Sequence, residues 1–480
     1  MLFHTWVFFV FFAIVYPVFL AVRKNNRLMN VWLLIASYTF YGWWNPYYIL
    51  LLFGTSAIDY VMVLLMERSR RRKLWLVISL VSNFGFLGYF KYSGFFTDSL
   101  NSVLHQLHLS FQLPDPVSYP NALIHLFSGR EDWFSRVILP IGISFHTFQS
   151  MSYTIDAYRG KIKVERSFIR FLTFVSFFPQ LVAGPIERAS NLLPQLQRCP
   201  EITWEDINDG LSLFLVGFFK KVALADYLAL YVDRVYGAPE NYSSAALILA
   251  TVTFGWQIYF DFSGYTDMAR GVARVMGFRL MLNFNNPYVA TGLGDFWNRW
   301  HISLSTWFKD YLYFPLGGNR RGKLATYRNM AFTMILSGVW HGAGWTFVIW
   351  GALHALGRIC TRELERTRYY KERVPTIVKQ LGVFAFVMLT WVFFRATSVS
   401  QAWLILTRMW STGWENPRYP LLMLILILAV WAYQFGFAGS VRTRRILEWR
   451  PVPMGLAIGM IVYLAIVAQP STQAFIYFQF

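Results

Sequence analysis

Charge is scarce in this 480-residue sequence: 14% of its residues are Asp, Glu, Lys or Arg, where a soluble globular domain carries about 25%. With 56% hydrophobic residues and a mean hydropathy of +0.38, the shortage excludes a soluble enzyme and points to an all-α polytopic membrane protein. Cysteine is scarcer still. Cys199 and Cys360 are the only two, far apart and in no Cys-x-x-Cys spacing, so neither a disulfide framework nor a thiolate metal site is expected. His-x-x-x-His and His-Glu-x-x-His are also missing, which argues against a bound metal. Gly-x-Ser-x-Gly is absent, and Ser303, Ser305 and Ser337 read as helix-packing residues rather than nucleophiles. Gly317 and Gly318 lack the spacing of a phosphate loop. There is no internal repeat, which disfavours a transporter built from inverted halves.

The bases present are informative by their arrangement. A net charge of +19 would suit nucleic acid, but the lysines and arginines form short clusters between long apolar runs. That pattern reads as cytoplasmic loops facing anionic lipid, with the bilayer rather than nucleic acid as partner. The first apolar run, Trp6 to Val22, has no small-residue cleavage site, and Arg23, Lys24 and Arg27 follow it. It is expected to be a span with the N-terminus outside. Further spans are expected at Val31–Trp44, Tyr47–Met66, Leu74 to about Tyr89, Val137–Tyr158, Leu211–Leu230, Ala245–Phe260, Asn329–Trp340, Trp345–Ile359, Ile377–Phe394, Leu421–Phe437 and Met454–Ala468. The basic loops at Arg68–Lys73 and Arg159–Arg166 then fall on one side, and the C-terminus ends outside. Residues 95–136, with Asp98, Asp115, Glu131 and Asp132 and prolines at Pro114, Pro116 and Pro120, read as an extracytoplasmic insert in a single membrane domain over 1–480. The short run Phe168–Val182, ending at Pro179 and Gly184-Pro185, implies a break that must be buried in protein or line a wet cavity.

The richest stretch is DFWNRWHISLSTWFKDYLYFPLGGNRRG, Asp295 to Gly322. Phe296, Trp300, Leu304, Trp307, Phe308 and Tyr311 recur at helical spacing and predict one amphipathic helix, too polar to cross a bilayer. Pro315 and the Gly317-Gly318 pair end it, and Arg320, Arg321 and Lys323 follow where a helix exit favours cations. His301 lies at the edge of the apolar face. His341 lies in LSGVWHGAGWTF, where Gly338, Gly342 and Gly344 mark close helix approach. An ionisable group inside such a segment is a functional candidate: a general base, a metal ligand or a proton relay. It can equally be a neutral histidine making one hydrogen bond across helices. His354, in an apolar run, reads as a packing residue. Asp261 and Asp267, abutting an apolar run, either face a protein interior or cap a helix at an interface.

Several long blocks carry a resemblance. FPQLVAGPIERASNLLPQL (Phe178–Leu196), YFDFSGYTDMARGVARVMGF (Tyr259–Phe278), NFNNPY (Asn283–Tyr288), the 295–322 stretch and GVWHGAGWTFVIWG (Gly338–Gly351) closely resemble membrane-bound O-acyltransferases, in the branch that serves bacterial polysaccharide O-acetylation; the terminal FIYFQF also resembles that branch. The resemblance implies a helical bundle with broken and in-plane helices around a funnel, in the bacterial inner membrane. It implies His341 as the essential catalytic residue, acting as general base. His301 matches the family's other motif position, in many members an asparagine, aspartate or histidine. Acetyl-coenzyme A is the implied cytoplasmic donor, with no permanently bound cofactor, and the acceptor is a hydroxyl approached from outside. Members of this branch hand acetyl groups to SGNH-type partner proteins that acetylate a secreted polysaccharide such as alginate. On that scheme Arg320, Arg321 and Lys323 supply positive charge for the donor's phosphates. Competing readings are a D-alanyl transferase acting on teichoic acid through the same fold, and a transporter in which histidines relay protons.

The topology is directly checkable. Single cysteines placed in the loops at Arg68–Lys73 and Arg159–Arg170 should resist an impermeant thiol reagent in spheroplasts and react after lysis. Labelling from outside would invert the topology.

Overall fold

The computed structural model describes residues 1–114, 116, 140–439 and 451–467, and every regular element there is helical. Contacts divide the chain into two units: Met1, Ile14–Val182 and Ile186–Cys199 in the first, and Leu2–Ala13, Ala183–Pro185 and Pro200–Phe480 in the second. The acidic and proline positions Asp115, Pro120, Glu131 and Asp132, the basic run at 442–450 and the terminal block at 475–480 lie outside the described residues. The helix α1 (Trp6–Val22) opens the chain.

In the first unit, α2 (Asn26–Gly42) starts where the Asn25 side chain accepts from the backbone N–H groups of Arg27 and Leu28, a capping arrangement that closes two orphan donors. Next come α3 (Tyr47–Arg68) and α4 (Arg72–Leu87). The fourth span does not stop near Tyr89. A π-turn at Gly88–Tyr92 carries it into α5 (Ser93–Gln106), so the apolar helical stretch runs for 35 residues and the first part of the 95–136 segment is helix. The helix α6 (Ile143–Tyr158) is buried along nearly its whole length although about half its residues are polar. Beyond it are α7 (Phe168–Ser176), α8 (Phe178–Leu181) and α9 (Ala189–Leu196).

The break at Phe177 is buried, as backbone freed inside a membrane protein must be. Phe177, Phe178, Pro179 and Gln180 are all shielded from solvent. The buried carbonyl of Phe174, left open by the break, accepts from the side-chain amides of Gln149 at 2.6 Å and Gln180 at 2.9 Å, and the Phe178 N–H donates to Ser37 Oγ at 3.1 Å. Side chains replace the ladder where the helix ends.

In the second unit, α10 (Trp204–Phe219) begins with a capping box in which Thr203 and Asp206 satisfy each other's backbone N–H. A π-turn at Lys220–Ala225 joins it to α11 (Asp226–Gly237), so the single span expected at Leu211–Leu230 is two helices with a distortion between them. Then α12 (Ser244–Val275) runs for 32 residues, about 48 Å, longer than the hydrocarbon core. Asp261 and Asp267 are inside it and cap nothing. Lys221 Nζ lies 2.8 Å from Asp261 and 2.7 Å from Asp226, and Lys220 Nζ lies 2.7 Å from Asp267. The interior reading holds: these carboxylates are tolerated at depth because lysines from the π-turn meet them. The remaining helices are α13 (Leu293–Trp297), α14 (Ile302–Phe308), α15 (Gly322–His341), α16 (Trp345–Leu364), α17 (Arg368–Glu372), α18 (Thr376–Arg395), α19 (Val399–Ser411), α20 (Leu421–Gly439) and α21 (Pro451–Val467). Of these, α19 had no counterpart among the expected spans. It packs against α12 and α18.

Four described helical stretches are long and apolar enough to cross a membrane: Tyr47–Arg68, Arg72–Gln106, Ser244–Val275 and Thr376–Arg395. The apolar helices at Trp6–Val22, Leu421–Gly436 and Pro453–Leu464 are shorter.

Removing one partner of a buried ion pair costs about 3–5 kcal/mol. Lys221→Met leaves Asp226 and Asp261 buried without their lysine, so it should lower the unfolding midpoint in detergent clearly. Lys220→Met, whose pair with Asp267 is less buried, should lower it less. Equal midpoints for the two variants would overturn that ranking.

Candidate active site

The 295–322 stretch is not one helix. It is α13, a break, α14, and a π-turn at Lys309–Tyr313. The apolar periodicity survives the break: Phe296, Trp300, Leu304, Trp307 and Phe308 are buried, and Tyr311 is half-buried. The break is at His301, which adopts φ 43°, ψ 54°. Left-handed backbone costs most side chains about 1–2 kcal/mol, and Asn, Asp and His are the non-glycine residues enriched there. The backbone at His301 is therefore one that a histidine tolerates.

His301 offers α14 no side-chain cap. The cap comes from Asn283 of the NFNNPY block. Its carbonyl accepts from Ile302 N at 2.9 Å, and its Oδ1 accepts from Ser303 N at 3.2 Å and Ser303 Oγ at 2.9 Å. This holds the reversed turn in place. The His301 ring is fully buried, edge-on to Phe262 at 4.7 Å and 5.9 Å from Trp340. Burial pushes its imidazole well below the ordinary value, which keeps the ring neutral.

His341 is the last residue of α15. Close helix approach was expected along Gly338, Gly342 and Gly344, and the structure moves it. The contact between α15 and α16 is Gly338 against Gly351: a Cβ on Gly338 would run into the Phe347 carbonyl, and one on Gly351 would come within 2.6 Å of the Met334 carbonyl. Gly342 lies just beyond the helix against the Phe347 ring, and Gly344 has ordinary room. Backbone contact on this scale puts Trp350 beside His341, ring centres 5.1 Å apart, with His354 4.5 Å from the same indole. Trp340 is 5.0 Å from His341 and Phe394 is 5.4 Å away. The His301 and His341 rings are 6.3 Å apart. His354 packs in the same aromatic shell, its Nε2 3.0 Å from the Thr390 hydroxyl.

The structure therefore brings His301 and His341 together and leaves Arg320, Arg321 and Lys323 at the opposite end of α15. Lys323 and His341 are about 27 Å apart along the helix axis. Arg320 and Arg321 are exposed beyond a turn in which Gly317 and Gly318 take positive φ. Lys323 already pairs with Glu363 at 2.7 Å. Their hydrogen bond holds the ammonium above, and the carboxyl below, its ordinary value. One cation escaped the reading of the sequence: Arg358, on α16 one turn past His354. It is half-buried against Gly294, whose Cβ would meet its guanidinium at 2.6 Å, and its carboxylate neighbour Glu365 is 3.8 Å away. The signal was available, because Arg358 is the first charged residue after the apolar run Trp345–Gly357. Among the described residues no group of three or more His, Cys, Asp or Glu side chains could hold a metal ion.

A scan against family profiles matches residues 150–397 to the membrane-bound O-acyltransferase family. The chain belongs to that family. Its relatives include a probable alginate O-acetylase, AlgI, of Pseudomonas aeruginosa, 40% identical over 413 residues that cover 85% of this chain and 75% of the relative. A peptidoglycan O-acetyltransferase of Helicobacter pylori is 36% identical over 424 residues, covering 82% and 76%. A teichoic acid D-alanyltransferase of Bacillus subtilis is 31% identical over 263 residues, covering 52% and 66%. The protein is thus an integral-membrane acyltransferase, and both histidines and their aromatic shell lie inside the matched region.

The left-handed turn in this acyltransferase makes a test independent of chemistry. His301→Asn should unfold close to wild type, because asparagine tolerates the conformation. His301→Val should be less stable by about 1–2 kcal/mol, beyond any loss from the ring itself. Thermal unfolding of both variants in detergent checks the order.

Proposed function

We propose that this acyltransferase moves an acetyl group from cytoplasmic acetyl-coenzyme A to a hydroxyl acceptor outside the membrane, with His341 as general base. The observation that carries the reading is the buried His341–His301 pair at the end of a glycine-packed helix. A thioester is already activated, so the protein has mainly to orient the acceptor oxygen and take its proton. His341 accepts that proton as the oxygen attacks the thioester carbonyl. The tetrahedral oxyanion then collapses, the carbon–sulfur bond breaks, and the imidazolium returns the proton to the departing thiolate. An ester and free coenzyme A result, with no net proton change. His301 orients the acceptor or donates to the oxyanion, a role a neutral imidazole with one N–H can fill.

The donor's phosphates are assigned to the basic end of α15, where Arg320 and Arg321 are exposed. Only an extended donor reaches from there to His341, which fits a thioester carried on a long arm. The acceptor is an SGNH-type partner protein or the polysaccharide itself. The relatives named for O-acetylation of alginate and peptidoglycan align over most of this chain, whereas the D-alanyltransferase aligns over about half. That difference favours acetyl over D-alanyl transfer.

Labelled acetyl-coenzyme A, purified protein and its acceptor test the assignment. His341→Ala should lose the 10²–10⁴-fold that a general base typically supplies, at unchanged amounts of protein in the membrane. His301→Asn should keep part of the activity. Near-normal turnover in His341→Ala removes the base assignment. Reversing Arg320 and Arg321 to Glu should raise the donor concentration needed for half-maximal rate; an unchanged requirement would make them lipid anchors only. Transfer from a D-alanyl carrier protein, with none from acetyl-coenzyme A, would replace the acetyl reading.

A further inference from the structure

The helix α3 carries one acidic residue in its apolar interior, and nothing in acyl transfer explains it. Asp59 is completely buried, near the middle of the span Tyr47–Arg68. Three side chains from two other helices converge on it. Ser79 of α4 donates to Oδ1 at 2.5 Å, Asn83 Nδ2 of α4 reaches both oxygens at 2.8 and 2.9 Å, and the Ser150 hydroxyl of α6 donates to Oδ2. The Thr154 hydroxyl, one turn further along α6, is 3.3 Å from Ser79 Oγ. Asn83 Oδ1, although buried, has no hydrogen-bond partner among the described residues.

Every one of these partners is neutral. Besides tyrosines, the titratable groups on the elements packed against α3 are Arg27 on α2, His146 and Asp156 on α6, Arg170 on α7, and Arg72, Lys73 and Lys91 on α4 and its π-turn. None makes an ion pair or hydrogen bond with Asp59 among the described residues. Contrast Asp226 and Asp261, also buried but met by Lys221. Two hydroxyls and an amide N–H lie within hydrogen-bond distance of its oxygens, an arrangement that can hold an ionised carboxylate. An anion in a membrane span without a counter-charge is costly.

We propose that this cluster of oxygen side chains binds a sodium ion. The donor set is all oxygen: the Asp59 carboxylate, the Ser79, Ser150 and Thr154 hydroxyls, and the carbonyl Oδ1 of Asn83. Hard cations choose such sets, at about 2.3–2.6 Å for ions of calcium's size, which sodium shares. A single carboxylate balances a single positive charge. The hydroxyls keep donating to Asp59 while their lone pairs face the ion, and the unused Asn83 Oδ1 becomes a ligand. The ion would tie α3, α4 and α6 together, and so would act on stability.

The experiment uses the full-length protein in detergent, with thermal unfolding followed in sodium chloride and in choline chloride at equal ionic strength, each at two pH values. Binding to the folded state alone predicts a saturable rise of the midpoint with sodium, absent in choline and lost in Asp59→Asn. Thr154→Val, which keeps every hydrogen bond to Asp59 itself, should weaken the sodium response and serves if Asp59→Asn does not fold. Equal midpoints in the two salts overturn the proposal, as does a sodium rise that Asp59→Asn retains. A midpoint that rises on acidification in choline and ignores sodium would assign the site to a proton instead. Acetyl transfer plays no part in the readout, so the outcome is independent of the roles given to His341 and His301.

Discussion

The site depends on one contact, the meeting of Gly338 on α15 with Gly351 on α16. Neither glycine has room for a methyl group, so two helix backbones touch there. In a bilayer the hydrophobic effect does not drive helices together; close packing and hydrogen bonds do. The Gly338–Gly351 contact therefore sets how α15 ends relative to α16. It brings His341 to Trp350, and through Trp350 to His354. A larger side chain at either position would separate the rings without altering any residue that touches substrate.

Around that contact the protein handles polar groups in three ways. Where the backbone breaks at Phe177, glutamine amides close the open carbonyl. Where carboxylates enter α12, lysines from a π-turn neutralise them. Where a left-handed residue interrupts the 295–322 stretch, an asparagine from a distant loop caps the helix that follows. Each follows from the same scarcity of water, which favours partners within the chain for buried polar groups.

Much of the architecture was legible because hydropathy reports burial directly. Most expected spans coincide with helices, and the apolar residues Phe296, Trp300, Leu304, Trp307 and Phe308 are buried as their spacing predicts. Continuity was not legible. An i, i+4 pattern records which residues face the core, and it persists across a single left-handed residue, so the break at His301 left no mark on it. The π-turns at Gly88–Tyr92 and Lys220–Ala225 were invisible for a related reason: one extra residue shifts the phase of a pattern without erasing it. His341 and His301 were legible as candidates, from their glycine-rich and aromatic settings. Their proximity was not, since 40 positions separate them and tertiary packing alone joins them. Asp59 was overlooked because the strong hydropathy of its span hides a single charge.

The π-turn at Lys220–Ala225 has a consequence for how such a helix tolerates length changes. An α-helix rotates about 100° per residue, so an extra residue in one turn re-aims everything on one side of it relative to the other. Here the re-aiming lets Lys220 and Lys221, adjacent in sequence, meet carboxylates on neighbouring faces of α12, six residues apart at Asp261 and Asp267. A chain one residue shorter at this point would still be helical and equally apolar. Its charges, however, would no longer line up with theirs, so this stretch is under a constraint of phase rather than of composition.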